Sequence, residues 1–583
     1  MRDIGILDRK LTIVLLALLV AAALVASWRF GESVSGFDYY QFWVVGEAVE
    51  HDSVSNIYSD HERARIGALF RDRAIRDGSS DRLMAVANAR SVLETYSTPF
   101  LYLALHLLAS GDYETDLRRW HALSLFAFVA GVAGMCHLFG YTGSIGLALL
   151  LALLLWFEPL QSEIRVVNVN SVQLGLLAFI LALLRKGDDP RWRTAAGIAL
   201  GVATMFKPNL ILISALLLPG LALLGRRREA LLLGGGLVVG AGLAIVSSSF
   251  FFGGLQCWSD WIRAVGLIPP EIISFELGNI APLFAFGDDL AAGVSPLVAG
   301  IMIAVTLRAL SSSQKGVGEE AMQLFLVESC LVAMGCVTYL LSSTLVWEHY
   351  FILAIPMLLF ALRPRVGRPP VSKREILLER VLPGAALLGL MAIPTRSLLQ
   401  STPETYLLLA QAPATLILLG LGLWHFRSPE REALGSVSRP GASWQVQAGV
   451  AVALLLTMAL LHPLSWLKRR DGMAAARTVS MRHYVEMLSE SETLRDRLRS
   501  VEVIGYESGA PIDTRTGGIE QLRYYLAQFA LTPTVAQLGG DHEFILGNFR
   551  RPEDLAEYAR RVDRKAAVLI APTIALLEGN DTQ

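Results

Sequence analysis

The run LTIVLLALLVAAALVASW, residues 11–28, contains 18 positions without a charged side chain. A helix of this length crosses a hydrocarbon core of about 30 Å. Arg9 and Lys10 precede the run and no small-residue cleavage site follows it, which favours an uncleaved spanning helix over a signal peptide. The run therefore predicts a chain that is inserted in a membrane.

The composition of the whole chain agrees with this first run. Hydrophobic residues make up 53% of the 583 positions, charged residues make up 18%, and the mean hydropathy is +0.47. Soluble domains carry about 25% charged residues. The formal net charge of -1 gives no basic surface for nucleic acid. We expect an all-α polytopic membrane protein with no nucleic-acid partner.

Basic loops between the apolar runs predict the orientation of the chain. The positive-inside rule places the loops 185–193, 225–229, 363–375 and 426–432 in the cytoplasm. This alternation predicts about 13 transmembrane helices in a cell (inner or plasma) membrane, with the N-terminus inside and the C-terminus outside.

The outer side then contains a long first loop, residues 31–119. Within it, the run TPFLYLALHLLA, residues 98–109, has 12 positions and is too short to span. We interpret it as an interfacial helix in contact with membrane lipids.

The composition changes near residue 467. Beyond this point, short β-type runs such as EFILGNF alternate with amphipathic helical patterns such as RPEDLAEYARRVDRKAAVLIAP. We therefore predict a transmembrane domain over residues 1–466 and a small extracytoplasmic α/β domain over residues 467–583.

The stretch SGFDYYQFW, residues 35–43, follows the first span and places Asp38 where the chain leaves the membrane. Tyr39 and Tyr40 come next to it. A charged residue and aromatic rings at this level either anchor a helix end or serve a function. We favour a functional carboxylate.

The stretch RVVNVNSVQLGLL, residues 165–177, opens a later span with the amides of Asn168, Asn170 and Gln173. Side-chain amides cap helix starts or join neighbouring helices, but capping explains one of the three at most. Amides also supply the donors and acceptors that sugar hydroxyls need.

The stretch ATMFKPNLIL, residues 203–212, contains Lys207 and Pro208 between two apolar runs of about 13 and 16 residues. A proline here predicts a helix break. An ammonium group near the outer surface is suited to neutralising a phosphate, and the alternative is a lysine that only snorkels to the interface.

Two further outer segments carry polar and aromatic side chains. LVWEHYFILAIP, residues 345–356, places Trp347, Glu348 and His349 at a turn between spans, although a solitary histidine is structural as often as functional. CWSDWIRAVG and ELGNIAPL add Arg263 and Asn279, together with Trp258, Asp260, Trp261 and Glu276.

Motifs for nucleotides and metals do not occur in the sequence. There is no G-x-x-x-x-G-K-[ST], no dinucleotide-binding fingerprint after a strand, and no C-x-x-C or H-E-x-x-H. The cytoplasmic loops are also too small to hold a nucleotide sugar. We therefore expect the substrate to reach the site from the membrane or from the outside.

Taken in order, these segments resemble the GT-C superfamily of integral-membrane glycosyltransferases, and within it glycosyltransferase family 87, the polyprenyl-phosphate-mannose-dependent mannosyltransferases. The likeness runs from about residue 10 to 362 and is carried by FDYYQFW, STPFLYLAL, VNVNSVQLGLL, FKPNL, GNIAPL and WEHYFILAIP. NVNSVQ departs from the Gly-Gln pair that is usual in the family. The C-terminal domain is not part of the family's common core.

The resemblance implies an inverting glycosyltransferase that moves a sugar, mannose in the family, from a polyprenyl-phosphate donor to a hydroxyl of a lipid or glycan acceptor at the outer face. It implies Asp38 as general base and Lys207, with His349 or Arg263, at the donor phosphate. It implies sugar or acceptor contacts from Tyr39, Tyr40, Asn168, Asn170, Gln173, Asn279, Trp347 and Glu348.

Cofactors and metals are not expected for this chemistry. A phosphodiester donor leaves as a phosphate monoester, which needs less neutralisation than a diphosphate does. A lysine can then replace a metal ion, and we predict no metal requirement.

Two other classes of protein remain as alternatives. A transporter or flippase of a lipid-linked glycan would line a pathway with intramembrane polar residues, often between internal repeats. Here the polar residues gather on one predicted side and no repeat is found. A scaffold that only displays the C-terminal domain would not explain the convergence of Asp38, Lys207 and His349.

Overall fold

The computed structural model describes residues 2–52, 54, 56–77, 79–186, 189–266, 279–283, 288–312, 321–363, 377, 381–391, 411–427, 484–485, 487–508, 519–540, 542–549 and 552–579. Contacts between Cα atoms divide the chain into two compact units. The first comprises Met1–Phe70 and Arg90–His462, and the second comprises Arg71–Ala89 and Pro463–Gln583. The predicted boundary at residue 467 stays a prediction.

Helices dominate the chain up to residue 427. In order they are α1 (Arg2–Glu32), α2 (Phe37–His51), α3 (Asp60–Arg76), α4 (Asp81–Ala89), α5 (Pro99–His106), α6 (Tyr113–Leu138), α7 (Gly143–Trp156), α8 (Glu158–Val166), α9 (Asn170–Arg185), α10 (Pro190–Phe206), α11 (Ile211–Leu223), α12 (Arg227–Phe251), α13 (Gln256–Gly266), α14 (Asp288–Ser312), α15 (Ala321–Ser342), α16 (Ile355–Leu362), α17 (Leu382–Leu390) and α18 (Ala412–Arg427). Two 3-10 helices, Pro208–Leu210 and Glu348–Ala354, precede α11 and α16.

Several of these helices are suited to a membrane. Within the described ranges, five are long and apolar enough to cross it: Lys10–Glu32, Tyr113–Leu138, Arg227–Phe251, Gly293–Ser312 and Met322–Ser342. The pair α7 and α8, bent by 58°, would make a sixth. The prediction of a membrane-embedded helical protein is confirmed, whereas the number of about 13 spans and the orientation stay predictions. The last predicted span, residues 445–467, lies outside the described residues.

Small residues bring α10 and α12 into close contact. A Cβ atom added to Gly197 would lie 2.1 Å from the carbonyl oxygen of Leu233, and one added to Gly240 would lie 2.1 Å from that of Ile198. Only glycine permits such a close approach of two backbones, as is common between membrane helices. The pairing fixes the axis of α10, which ends next to Lys207.

The predicted helix break at Lys207 is confirmed. α10 ends at Phe206, and Lys207 has an extended backbone with φ -150° and ψ 119°. A residue that precedes proline is excluded from the helical region by the proline ring. The hydroxyl of Thr98 donates to the carbonyl oxygen of Met205 at 2.6 Å, so α5 satisfies one of the last acceptors of α10.

The short apolar run after residue 97 forms the single helix α5. Thr98 caps its start by accepting a hydrogen bond from the Leu101 amide at 3.1 Å. Leu101, Tyr102, Leu103 and Leu105 are buried, while Leu107 and Leu108 beyond its end are exposed. The helix is therefore packed along most of its length, and its interfacial position stays a prediction.

The second unit contains the small C-terminal sheet that the alternation of β-type and helical runs predicts. Its elements after residue 490 are α19 (Glu492–Leu498), β1 (Val503–Glu507), α20 (Ile519–Ala530), β2 (Val535–Leu538), β3 (Phe544–Asn548), α21 (Pro552–Arg561), β4 (Arg564–Ala571) and β5 (Ile574–Gly579). The strand order is β2-β1-β3-β5-β4. β1 pairs in parallel with β2 and β3, whereas β5 is antiparallel to β3 and β4.

Candidate active site

Asp38 is the second residue of α2 and is held by the turn before it. Gly36 precedes the helix in the left-handed region, with φ 68° and ψ 59°. The Tyr113 hydroxyl donates to the carbonyl oxygen of Ser35 at 2.5 Å and fixes the same turn from α6. The Asp38 side chain is 21% exposed, so it is mostly buried but still reachable from solvent.

We predict that Gly36→Ala lowers turnover severalfold. The left-handed conformation costs an alanine about 1–2 kcal/mol, and the added Cβ would lie 2.7 Å from Leu117 Cδ1 and 3.2 Å from Val167 Cγ2. Relief of these contacts must move the start of α2 and with it Asp38. Turnover and thermal unfolding would be measured beside Gly140→Ala, where φ is +79° and no atom lies within 4 Å. Equal turnover in the two variants would contradict the prediction.

Asn168 faces Asp38 from the other side of the site. Val167 follows the last residue of α8 and lies in the left-handed region, with φ 59° and ψ 59°, a rare conformation for a β-branched residue. The chain turns there, and the Asn168 amide nitrogen donates to Asp38 Oδ2 at 2.6 Å. The side-chain amide oxygen of Asn168 accepts from the Val169 N–H at 2.8 Å. The Trp120 indole donates to the main-chain carbonyl oxygen of Asn168 at 3.2 Å.

Lys207 meets the same asparagine. Its ammonium nitrogen donates to the amide oxygens of Asn168 at 3.0 Å and Asn170 at 3.1 Å. It also lies 3.9 Å from the ring centroid of Tyr350, a cation–π distance. Three directions around the ammonium are thus occupied by two amide oxygens and one aromatic face.

Glu163 completes this group, and the sequence reasoning did not single it out. One carboxylate oxygen accepts from the Asn170 amide nitrogen at 2.9 Å and the other accepts from the Ser171 N–H at 3.0 Å, the second residue of α9. The residue is only 1% exposed. An acid inside a short segment between two apolar runs was the available signal, because ionisable residues are rare in such surroundings.

The five side chains Asp38, Asn168, Lys207, Asn170 and Glu163 form one continuous series, named here the Asp38–Glu163 network. Anion, amide, cation, amide and anion alternate along it. The network brings together Asp38, Asn168, Asn170 and Lys207 from three of the predicted segments, and their roles toward a substrate stay predictions.

His349 lies next to this network through Tyr350. The two rings meet edge to face with centroids 4.9 Å apart, and His349 is buried. Its Nε2 atom is shut off from solvent and has no hydrogen-bond partner among the described residues. The predicted contact with a phosphate stays a prediction.

Gln173 supports the backbone beside Lys207. Its amide nitrogen donates to Asn209 Oδ1 at 2.6 Å, and the Asn209 amide nitrogen donates back to its oxygen at 3.3 Å. Both residues are buried. These bonds tie α9 to the turn that follows Lys207, so the described role is structural and a sugar contact stays a prediction.

Tyr39 and Tyr40 are buried in an aromatic cluster. The Tyr39 ring stacks on Trp120 with centroids 6.0 Å apart, and the Tyr40 ring meets Tyr113 edge-on at 5.7 Å. The rings pack α2 against α6, and the predicted sugar contacts stay predictions.

The other predicted site residues serve local contacts. Asn279 is buried, and its amide donates to the Thr344 carbonyl oxygen at 2.7 Å and accepts from the Val346 N–H at 2.9 Å. Arg263 is largely exposed and pairs with Asp260 at 3.2 Å on the same helix.

Glu348 Oε2 lies 3.9 Å from Arg165 Nη2. Trp347 packs against the main apolar core. Glu276 lies outside the described residues. A substrate contact from Trp347 or Glu348 stays a prediction.

Residues 95–334 match the family model of glycosyltransferase family 87. The resemblance to this family is confirmed. The family implies a glycosyltransferase, and the apolar helices place it in a membrane. Glu163, Asn170 and Lys207 lie within the matched stretch, whereas Asp38 and His349 lie outside it. No curated protein and no solved structure matches the chain.

The surroundings of Asp38 have opposing effects on the pKa of its carboxyl group. Burial raises the pKa of the Asp38 carboxyl above its ordinary value, while Arg90 and the hydrogen bond from Asn168 lower it. Arg90 Nη2 lies 3.7 Å from Asp38 Oδ1, and its Nη1 is 2.7 Å from Glu94. Arg90 therefore helps to keep Asp38 ionised.

We predict that Arg90→Gln moves the acid limb of the activity profile to higher pH. If the carboxylate is the active form, activity is lost as pH falls through the pKa of Asp38. Loss of the positive charge raises this pKa further, so protonation begins at a higher pH. The ratio kcat/KM would be measured against pH beside Arg119→Gln, whose arginine pairs with Asp116 instead. An acid limb that does not move would contradict the assignment to Asp38.

Proposed function

We propose that this glycosyltransferase moves a sugar from a polyprenyl-phosphate donor to a hydroxyl of a lipid or glycan acceptor, with inversion at the anomeric carbon. One observation carries the proposal. The Asn168 amide donates to the Asp38 carboxylate at 2.6 Å and accepts from the Lys207 ammonium at 3.0 Å. A base and a cation thus lie on either side of a single amide group.

Asp38 supplies the base in this reaction. Its carboxylate accepts the proton of the acceptor hydroxyl while the hydroxyl oxygen attacks the anomeric carbon. The bond between that carbon and the phosphate oxygen breaks on the opposite face, which inverts the configuration. Polyprenyl phosphate leaves with the electron pair.

Lys207 supplies the positive charge for the leaving group. The phosphate gains negative charge as the glycosidic bond breaks, and an ammonium aimed at it stabilises the transition state more than the ground state. The amide between Lys207 and Asp38 prevents a direct ion pair. Neither charge is therefore neutralised by the other in a direct ion pair.

The donor sugar and the acceptor come from the family resemblance. Mannose is the sugar we propose, because it is the one that the family transfers. The predicted absence of a metal requirement belongs to the same proposal, since Lys207 takes the place of a metal ion at the phosphate.

Transfer by the purified full-length protein in detergent tests the proposal. Labelled polyprenyl-phosphate mannose and a membrane lipid extract should yield a labelled product and free polyprenyl phosphate, also in the presence of EDTA. Asp38→Asn should abolish most of this product. Movement of the donor across proteoliposomes with no product formed would overturn the proposal in favour of a flippase.

We also propose that the site and the second unit both face the outer side of the cell membrane. The basic loops at 363–375 and 426–432, followed by one predicted crossing, lead to this orientation.

Labelling of Ala556→Cys tests the orientation. Ala556 is exposed on α21. Asp541 would also be a suitable labelling position by sequence, but it lies outside the described residues. A membrane-impermeant thiol reagent should modify the new cysteine in intact cells. The parent protein is the control, because its four cysteines are buried. Modification only after lysis would mean that the number of spans is wrong by one.

A further inference from the structure

Glu163 has a place in the Asp38–Glu163 network that the proposed transfer does not yet use. Both of its carboxylate oxygens accept hydrogen bonds, one from the Asn170 amide nitrogen at 2.9 Å and one from the Ser171 N–H at 3.0 Å. A carboxylate at this position can accept hydrogen bonds but cannot donate them. The Asn170 amide must therefore turn its nitrogen to Glu163 and its oxygen to Lys207.

We infer that Glu163 is a positioning residue for Lys207: its buried carboxylate orients the Asn170 amide and balances the ammonium charge. The inference rests on the proposed function, because Lys207 is the group that would meet the donor phosphate. Glu163 itself contacts neither substrate. It acts through Asn170.

The charges around Lys207 support this role. Among the described residues, Asp38 on α2 and Glu163 on α8 are the carboxylates whose charge acts on Lys207. From the 3-10 helix before α16, the Tyr350 ring lies against the ammonium and His349 is close enough to sense its charge. Asp38 already has Arg90 within 3.7 Å. Of these two carboxylates, Glu163 is therefore the one whose charge is left to balance Lys207.

A cap of α9 is the simpler role for Glu163. The bond from the Ser171 N–H satisfies one free donor at the start of that helix. A cap alone would not require the second oxygen, which bonds a side chain rather than the backbone. The two roles differ in whether the effect of removing Glu163 depends on Lys207.

Glu163→Gln separates the two roles. Its amide nitrogen cannot accept, so either the Ser171 bond is lost or Asn170 must turn and present its own nitrogen to the Lys207 ammonium. We expect kcat to fall about fivefold, in keeping with a weakened contact to a charged group. Addition of Asn170→Asp restores an acceptor beside Lys207 and should recover most of the lost kcat.

Thermal unfolding gives a measurement that does not depend on transfer. Glu163→Gln, Lys207→Met and the double variant form a double-mutant cycle. Lys207→Met leaves Glu163 without its cation, so the added Glu163→Gln should lower Tm less than it does alone, or should raise it. Glu158→Gln, which removes another acid of α8, is the matched control and should be additive with Lys207→Met.

The outcomes distinguish this inference from the proposed function. If the wild type forms no product, the proposed function fails while the cycle in Tm still decides the inference. An additive cycle, or no recovery by Asn170→Asp, would leave Glu163 as a cap and overturn the inference. If Glu163→Gln does not fold, the Glu163→Gln/Asn170→Asp variant should fold, and its failure to do so would equally overturn the inference.

Discussion

Asp38→Asn is expected to lower turnover at least about 100-fold, because general-base catalysis contributes roughly 10² to 10⁴ in rate. Asparagine keeps the size of the side chain and removes its basic oxygen. Its amide oxygen can still accept the bond that Asn168 donates at 2.6 Å in the wild type. The variant should therefore fold normally and still bind the donor.

Single-turnover rates and donor binding by the purified variant would test this expectation. The loss should fall on the chemical step, with donor affinity near that of the wild type. Glu50→Gln is the matched control, because Glu50 lies on the same helix with its side chain 53% exposed. Near wild-type turnover in a folded Asp38→Asn protein would leave Asp38 as an interfacial anchor. The base would then be sought at Glu348, Asp260 or Glu276.

Local signals in the sequence predicted those parts of the fold that neighbouring residues decide. The break at Lys207 follows from Pro208 and the lengths of the two apolar runs, and the structure has it at that residue. The C-terminal strands follow from short β-type runs of the kind seen in β3. In each case, the pattern and the structure involve the same short segment.

Contacts between distant segments decide the parts that the sequence did not predict. The Asn168–Asp38 bond joins residues 130 positions apart, and the Gln173–Asn209 pair joins residues 36 positions apart. Three amides at the start of α9 indicated hydrogen bonding but not its partners. Two of them serve the network around Lys207, whereas Gln173 serves the neighbouring turn.

Burial was also difficult to predict. Two tyrosines beside a membrane boundary are typical of an interface, yet Tyr39 and Tyr40 are buried because α6 brings Tyr113 and Trp120 against them. Asn279 was likewise predicted as a polar residue of the site, but its amide bonds the backbone of Thr344 and Val346. The chemistry of such side chains is visible in the sequence, whereas the elements that cover them are not.

Lys207→Met is expected to lower turnover more than about tenfold. The ammonium donates two hydrogen bonds to amide oxygens and contacts the Tyr350 ring. In the transition state, loss of a charge-assisted contact removes about 1.5 to 3 kcal/mol. Lys207→Arg keeps the charge but replaces a compact ammonium by a planar fork, so part of the activity should remain.

Lys186→Met is the matched control for this pair of variants. Lys186 also places its ammonium over an aromatic ring, with Nζ 4.6 Å from the Trp192 centroid. It lies at the C-terminal end of α9, however, whereas Asn170 lies at the N-terminal end. Its loss should leave turnover unchanged if position at the site, rather than a lysine–aromatic contact in general, is what matters. Affinity for free polyprenyl phosphate should fall in Lys207→Met and not in Lys186→Met, because the released monoester meets the same ammonium as the leaving group does. Full activity of a well-folded Lys207→Met protein would mean that the lysine only snorkels, and the positive charge at the phosphate would have to come from another residue.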